Sequence, residues 1–422
     1  MNVDSRLQEL TTPEPNLTPD VLVGRATAMR DRLRAEQQAT EERTYYSEET
    51  HELFRAAGFY RVLQPKRFGG YEFDLETFYR MVIEIARGCP STGWCLCLGA
   101  AHVLQLSSYY SEETQREAFG DHGDFIAAAR DVVTGGTVTP VDGGYVVDGT
   151  WHYCSGAPYS THFIAHATLT DKQGKPLEDG TELLVLVPRS GWTMLDNWRG
   201  VLGLRGTGSH SIRVNKALVP EGNAVSTHLY DAKTGHGTPG SKLHGNPMYA
   251  HRPLGFFHGE IASIANGIAW AAIDEFERII KGSRTVWPLP PGLRAEQTEY
   301  QRVLGLALGM TSASHAAIMG GARQFMELCR RPFEGGAPFS HVEDLVLYNH
   351  QGHAGRLAYA ATEHLVRMSG SSNAVRSGQR MERYSRDVAT YRSHSEGAFL
   401  DIFAAELGKV YLARESEPVP LP

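Results

Sequence analysis

The sequence predicts an α+β chain in three parts: an N-terminal helical domain over residues 1–124, a middle β-domain over 125–235 and a C-terminal helical bundle over 236–412, with a Pro-rich tail at 413–422. Three observations predict it. Apolar residues recur at helical spacing as far as Phe119. From about Phe125 to Val225 short β-branched and aromatic runs alternate with turn residues. Beyond the polar, Gly-rich stretch Ser226 to Met248, long apolar stripes at helical spacing return.

Thr18 followed by Pro19 starts the first helix, because the hydroxyl caps and proline's missing N–H costs nothing in a first turn. That pattern runs to about Gln38. Helices follow over Ser47 to Ala57, Leu75 to Arg87 and Ser91 to Tyr110, with the turn-rich Gln64-Pro65-Lys66-Arg67-Phe68-Gly69-Gly70 between the first two. The strands are GTVTPV, GGYVVDGTWHYCS, THFIAHATL, TELLVLVP and SHSIRVNKALVP, with hairpin turns at Asp142-Gly143-Gly144 and Asp171 to Gly174. Ile261, Ile264, Ile268, Ala272, Phe276 and Ile279 then form one apolar stripe that ends at Lys281-Gly282, and Val303, Leu306, Met310, Ala317, Phe325 and Leu328 form a second. A third long helix opens at Ser340-His341-Val342-Glu343, a capping box in which serine and glutamate satisfy each other's terminal amides, and one or two more run from Gln379 to Leu412.

Composition narrows the function. With 41 Lys+Arg against 48 Asp+Glu, a net charge of -7 disfavours a broad surface for nucleic acid or anionic membrane. No run of about 20 apolar residues stands out, and the first residues, MNVDSRLQELTTPEPNLTPD, lack a basic-then-apolar leader, so a cytoplasmic protein is expected. Five cysteines are an odd count, and Cys95 and Cys97 are one residue apart, so neither a disulfide framework nor a metal site is expected.

The order helical, all-β, helical, together with several motifs, resembles the acyl-CoA dehydrogenase fold. Pro65 to Gly70 resembles the P-x-x-x-G-G turn of its N-terminal domain, and Pro90-Ser91-Thr92-Gly93-Trp94 the start of its buried helix. Trp151-His152-Tyr153-Cys154-Ser155-Gly156, Gly203-Leu204-Arg205-Gly206-Thr207-Gly208-Ser209 and Arg386-Asp387 followed by His394 resemble the oxygenase branch, the two-component, reduced-flavin-dependent monooxygenases such as p-hydroxyphenylacetate hydroxylase. The resemblance implies reduced FMN or FAD delivered by a separate NAD(P)H:flavin reductase, O2, a C4a-hydroperoxyflavin, a small phenolic or indolic substrate and a homotetramer. N- or S-oxygenation by the same intermediate stays open. Two departures matter. Where dehydrogenases carry R-x-x-F-G the chain has Gly282-Ser283-Arg284-Thr285-Val286-Trp287, and where they carry Y-E-G-T with the base it has Tyr391-Arg392-Ser393-His394-Ser395-Glu396-Gly397. An acyl-CoA dehydrogenase using Glu396 is therefore the rival reading.

The resemblance implies three catalytic residues. Ser155 would hold the flavin N5 hydrogen, His102 would bind and deprotonate a phenol, and His394 would sit over the flavin C4a–N5 locus. His394 lies seven residues after Asp387, on the same helical face, and Arg386 is placed to pair with Glu382. Expected cofactor contacts are Trp151, Cys154, Ser155, Arg205 in its Gly-rich turn, Arg252 with Phe256, and Ser371, Ser372 and Asn373 from a second subunit. His152, His162, His166 and His210 are further candidates, most of which must be structural.

Overall fold

The computed structural model describes residues 13–120, 123–130, 135–226, 232, 234, 237–287, 289–395 and 398–413, without the side chains of 395 and 398. Its helices begin as the sequence predicts, with Thr18 accepting from the Val21 amide at the head of α1 (Pro19–Ala28). Met29 then bonds back to the Ala26 carbonyl, tightening the turn, so the expected single helix divides into α1 and α2 (Arg30–Arg43). Next come α3 (Glu48–Ala57), α4 (Leu75–Gly88), α5 (Pro90–Ala101), α6 (Val103–Tyr109) and α7 (Glu112–Phe119). One helix was expected over Ser91 to Tyr110; it is interrupted at His102.

The middle of the chain is one mixed sheet of β1 (Ala127–Arg130), β2 (Gly136–Val141), β3 (Gly144–Trp151), β4 (His162–Leu169), β5 (Glu182–Pro188), β6 (Trp192–Leu195), β7 (Ser211–Pro220) and β8 (Ala224–Val225). Its order is β6-β7-β3-β2-β4-β5-β8, with β1 parallel to β4. The strand period of two sorts side chains between two cores. Phe163, Ala165, Leu183, Val185 and Val187 join Trp151 and Ile212 in the β-domain core, whereas the intervening Ile164, Leu184 and Leu186 pack into the helical core. The sheet is thereby fixed to the helices on one face.

The stretch expected to be loop carries α8 (Pro239–His244), closed by a capping box of Thr238 and Ser241. The bundle follows as α9 (Pro253–Lys281), α10 (Thr298–Arg330), α11 (His341–Met368), the short α12 (Ser371–Ala374), α13 (Arg380–Ser395) and α14 (Ala398–Ala413). Central to it is α9, packed on α4, α10, α11 and α13. The expected Ser340–Glu343 capping box is present. Contrary to the sequence reading, the helical stretch Thr298–Glu334 is long and apolar enough, by length and composition, to cross a membrane; 33% of its most apolar window is buried within the bundle. Among the described residues all five cysteines are buried free thiols, and no group of three or more His, Cys, Asp or Glu is placed to hold a metal.

Candidate active site

The motif loop 203–209 is wedged between three helices. Gly203 lies so close to α13 that a Cβ there would come within 2.1 Å of the Arg386 carbonyl oxygen, so only glycine fits. The next amide, of Leu204, donates to Asp387 Oδ1 at 2.6 Å, and the Gly206 amide donates to Ser91 Oγ at 3.1 Å on α5. Asp387 is fully buried, and burial pushes its carboxyl up to about 7 against the pull of the Leu204 amide. A second turn, Tyr153 to Gly156, follows β3 and meets the same helix, with Gly156 (φ +81°) facing the Cys95 carbonyl and the Gly99 amide. Both turns therefore take their position from α5.

Where the turns meet α5 the chemistry collects. Trp94 Nε1 donates to Ser155 Oγ at 3.0 Å, Ser155 Oγ shares a hydrogen bond with Ser209 Oγ at 2.7 Å, and Ser209 pairs with Thr207 Oγ1 at 2.7 Å. Since the indole can only donate, the Ser155 hydroxyl keeps its own proton for Ser209 or for a ligand. His394, at the end of α13, packs edge-on against Trp94 at 5.1 Å between centroids. Surrounding protein, and secondarily the Arg130 guanidinium, lower its pKa to about 4, yet the ring is exposed. Dense surroundings with an open surface describe the wall of a cleft, and the imidazole is neutral at pH 7. On the rim, Tyr153 is 62% exposed with φ +63°, a left-handed conformation that costs a non-glycine residue about 1–3 kcal/mol. It meets the Trp198 ring at 5.9 Å and lies under Arg130 at 5.9 Å.

His102 closes the C-terminal end of the same α5 and is 1% exposed. Its Nδ1 lies 2.7 Å from the Ala127 carbonyl oxygen of β1. A carbonyl only accepts, so Nδ1 carries the proton and Nε2 the lone pair in the neutral ring, the tautomer a general base needs. Phe257 of α9 stands 6.2 Å away, and the adjacent His258 is lowered to about 3 by burial first and by His394 second. His102 and His394 are thus reached from opposite ends of α5 and from the two neighbouring residues of α9.

The remaining expected residues are placed differently. Trp151 is fully buried in the β-domain core, with Nε1 donating to the His166 carbonyl at 3.0 Å, so its indole belongs to that core and does not join the Ser155 cluster. Cys154 is buried beside it, its thiol on the Trp151 carbonyl at 3.4 Å. Arg205 folds back on its own loop through Nε to the Val201 carbonyl at 2.9 Å. Arg252 is buried, hydrogen-bonded to the Ala232 carbonyl and 3.8 Å from Asp344, whose carboxylate accepts from the Leu254 and Gly255 amides. It braces the start of α9 rather than reaching the Ser155 cluster. Phe256 lies in the helical core with Phe325 and His251. Ser371 and Ser372 are exposed on α12, and Asn373 bonds the Ser369 carbonyl; none of the three joins the cluster within this chain. Glu396 lies outside the described residues. His210 accepts from the Asn197 and Trp198 amides and bonds Thr44, and His152, His162 and His166 pair with Ser211, Thr161 and Glu182. These four have structural partners.

Sequence reasoning passed over Trp94 as a site residue, together with Ser209 and Arg130. Trp94 and Ser209 stood inside quoted motifs; Arg130 stood in none. A cavity of about 430 Å³ lies elsewhere, lined by Tyr359, Glu363, His364 and Arg367 of α11 and Ser385 and Val388 of α13. The donor set around Ser155 fits the edge of a flavin ring: a hydroxyl with a proton to spare, an indole floor that orients it, and a neutral imidazole beside both.

This three-part fold with its site between the β-domain and two helical regions defines an acyl-CoA dehydrogenase-type protein. Residues 25–121 match the acyl-CoA dehydrogenase N-terminal domain and residues 260–397 its C-terminal domain. The chain is 30% identical over 395 residues to the pigment production hydroxylase of a Rhodococcus strain, covering 92% of this chain and 95% of that one. It is 31% identical over 251 residues to the flavin-dependent monooxygenase oxygenase subunit HsaA of Rhodococcus jostii, an alignment spanning 59% of this chain and 63% of that protein, less than two-thirds of its length. Its fold matches the structure of XiaF from Streptomyces in complex with FADH2 and glycerol, at a TM-score of 0.82, with 22% identity over the full length of both chains. The chain belongs to the family of flavin-dependent monooxygenase oxygenase components built on the acyl-CoA dehydrogenase fold.

Proposed function

We propose that this chain is the oxygenase component of a two-component monooxygenase that hydroxylates a small phenolic or indolic substrate, taking reduced FMN or FAD from a separate NAD(P)H:flavin reductase. The observation that carries the reading is the Trp94–Ser155–His394 cluster, assembled from α5, the turn after β3 and the end of α13. Reduced flavin, when bound, would supply the activation of O2. Ser155 holds the N5 edge, with Trp94 and Ser209 fixing the direction of its hydroxyl. His394, neutral at working pH, is a hydrogen-bond partner beside that edge rather than a standing cation. His102 takes the phenol proton on Nε2, and its Nδ1–H stays on the Ala127 carbonyl. Trp94 and His102 are buried among packed helices, which keeps water from that side of the cluster.

FADH2 in the Streptomyces structure of like fold supports reduced flavin as the cofactor, and the hydroxylase and oxygenase-subunit names of the relatives support hydroxylation. A homotetramer belongs to the same reading: Leu306 and Leu308 of α10 are exposed in the single chain and other copies would cover them, and Ser371 and Ser372 would then face a neighbour's flavin. So does a cytoplasmic location, which suits five buried free thiols. The test mixes anaerobic protein with reduced flavin and then with oxygen. A transient hydroperoxyflavin absorbance is expected; tightly bound oxidised FAD together with turnover of an acyl-CoA would favour the dehydrogenase reading instead.

A further inference from the structure

Arg130 ends β1 beside the cluster, and among the described residues its charge has no counterion. No acidic side chain among the described residues lies within ion-pair distance, and its Nε is buried with no hydrogen-bond partner. Burying part of a guanidinium without an acceptor costs free energy that folding alone does not recover. The same chain shows what arginine does elsewhere: Arg61, equally placed on a short element, is matched by Asp124 at 2.7 Å, and Arg386 by Glu41 and Glu382. Nor is Arg130 remote from the chemistry. Its guanidinium stands 5.9 Å from the Tyr153 ring, two residues before Ser155, and its field reaches His394. The strand that carries it also supplies the Ala127 carbonyl that sets the His102 tautomer.

We propose that Arg130 is an oxyanion-recognition residue of the active site, taking a carboxylate or phosphate carried either by the aromatic substrate or by the flavin. The planar fork of Arg130 suits a bidentate oxyanion, and the exposed Tyr153 ring below it offers a flat apolar surface to the group that bears the anion. Tyr153 accordingly holds its left-handed backbone where its ring lies under the cation. This rests on the functional reading above, since it places the anion in the same cleft.

The experiment is ligand binding, not turnover, on the full-length protein and its Arg130→Met and Arg130→Lys variants. Two matched pairs serve as probes: 3-(4-hydroxyphenyl)propionate against 4-propylphenol, and FMN against riboflavin. The wild type should prefer the anionic member of at least one pair by about 10- to 150-fold, the range of a hydrogen bond to a charged group. Arg130→Met should abolish that preference while leaving the neutral probes bound as before, and Arg130→Lys should restore part of it. Loss of preference in the phenol pair identifies the substrate as the source of the anion; loss in the flavin pair identifies the cofactor phosphate. A wild type with no preference in either pair, or a preference that survives in Arg130→Met, overturns the proposal. Formation of the hydroperoxyflavin is read separately in the same preparations: its absence from the wild type would defeat the monooxygenase reading without bearing on the binding arms.

Discussion

The loop at 203–209 and the turn at 153–156 touch the same helix, α5, and are built in opposite ways. The first is saturated: Gly203 is jammed on α13, the Leu204 and Gly206 amides are spent on Asp387 and Ser91, and Arg205 bonds its own loop. The second is left open, with a strained, exposed Tyr153, a Ser155 hydroxyl that still has a proton to give, and an imidazole wall at His394. One holds the three parts of the chain together and the other presents chemistry to the cleft. The first half of the Gly-rich motif is thus spent on the protein itself, while Thr207 and Ser209 at its end join the Ser155 cluster.

The largest effect should come from breaking the saturated loop. Gly203→Ala drives a methyl against the Arg386 carbonyl, and because both atoms belong to backbone the cost should reach about 3 kcal/mol. Chemical denaturation should show it, with the midpoint lowered; a variant as stable as the parent would mean the loop has room it is not seen to have. Next in size, His102→Ala should leave oxygen activation intact and slow hydroxylation by on the order of 10²-fold, as for removal of a general base. Rapid-mixing traces separate the two half-reactions, and equal loss of both would reduce His102 to a packing residue.

A smaller effect sharpens the contrast on the open side. Trp94→Phe removes one donor from Ser155 while keeping the aromatic floor under His394, so peroxide release relative to product should rise by about 2–13-fold, the equivalent of one hydrogen bond. Peroxide quantified alongside product would settle it; a ratio like that of the parent would show that Trp94 does not orient the serine.

The smallest effect concerns acid. His251 and His258 are buried with pKa values pushed down to about 3. Their unfolded forms bind a proton near 6.5, so the stability they contribute is present above 6.5 and lost as pH falls toward 3. Asp387 runs the other way: raised to about 7, it contributes most below its ordinary value near 3.8, a contribution lost as pH rises through 7. Asp387→Asn keeps an oxygen for the Leu204 amide but cannot titrate, so it should change stability little below its ordinary value near 3.8 and flatten only the drift between about 4 and 7. Melting temperatures across that window test this, and an unflattened drift would assign it to other groups.

The sequence makes the architecture legible because period and punctuation report directly on element type: the Thr18 and Ser340 caps, the Asp142-Gly143 turn and the alternation along β4 and β5 all recur in the fold. The breaks at Met29 and His102 are not legible, since neither is marked by glycine or proline, and α8 hides in a Gly-rich stretch. At the site, Ser155 and His394 come together as the motif order suggests, 5.1 Å and one hydrogen bond apart through Trp94. Trp151 does not join them, because a motif records which residues travel together and not which way each side chain points along a strand of period two, and Arg252 stays at the head of α9 beside Asp344. Arg130 is invisible for the converse reason: its meaning lies in a buried Nε without a partner among the described residues, which no motif spells.

The central claim, that the open turn carries the oxygen chemistry, is tested most directly by Ser155→Ala. Anaerobic variant and parent are each charged with reduced flavin, mixed with oxygen, and followed by the absorbance of the oxygen adduct and by peroxide yield. The adduct should form in both, but in the variant its lifetime should fall by about 2–13-fold, with peroxide rising at the expense of product. An adduct of unchanged lifetime and an unchanged peroxide yield would place Ser155 away from the flavin and contradict the account.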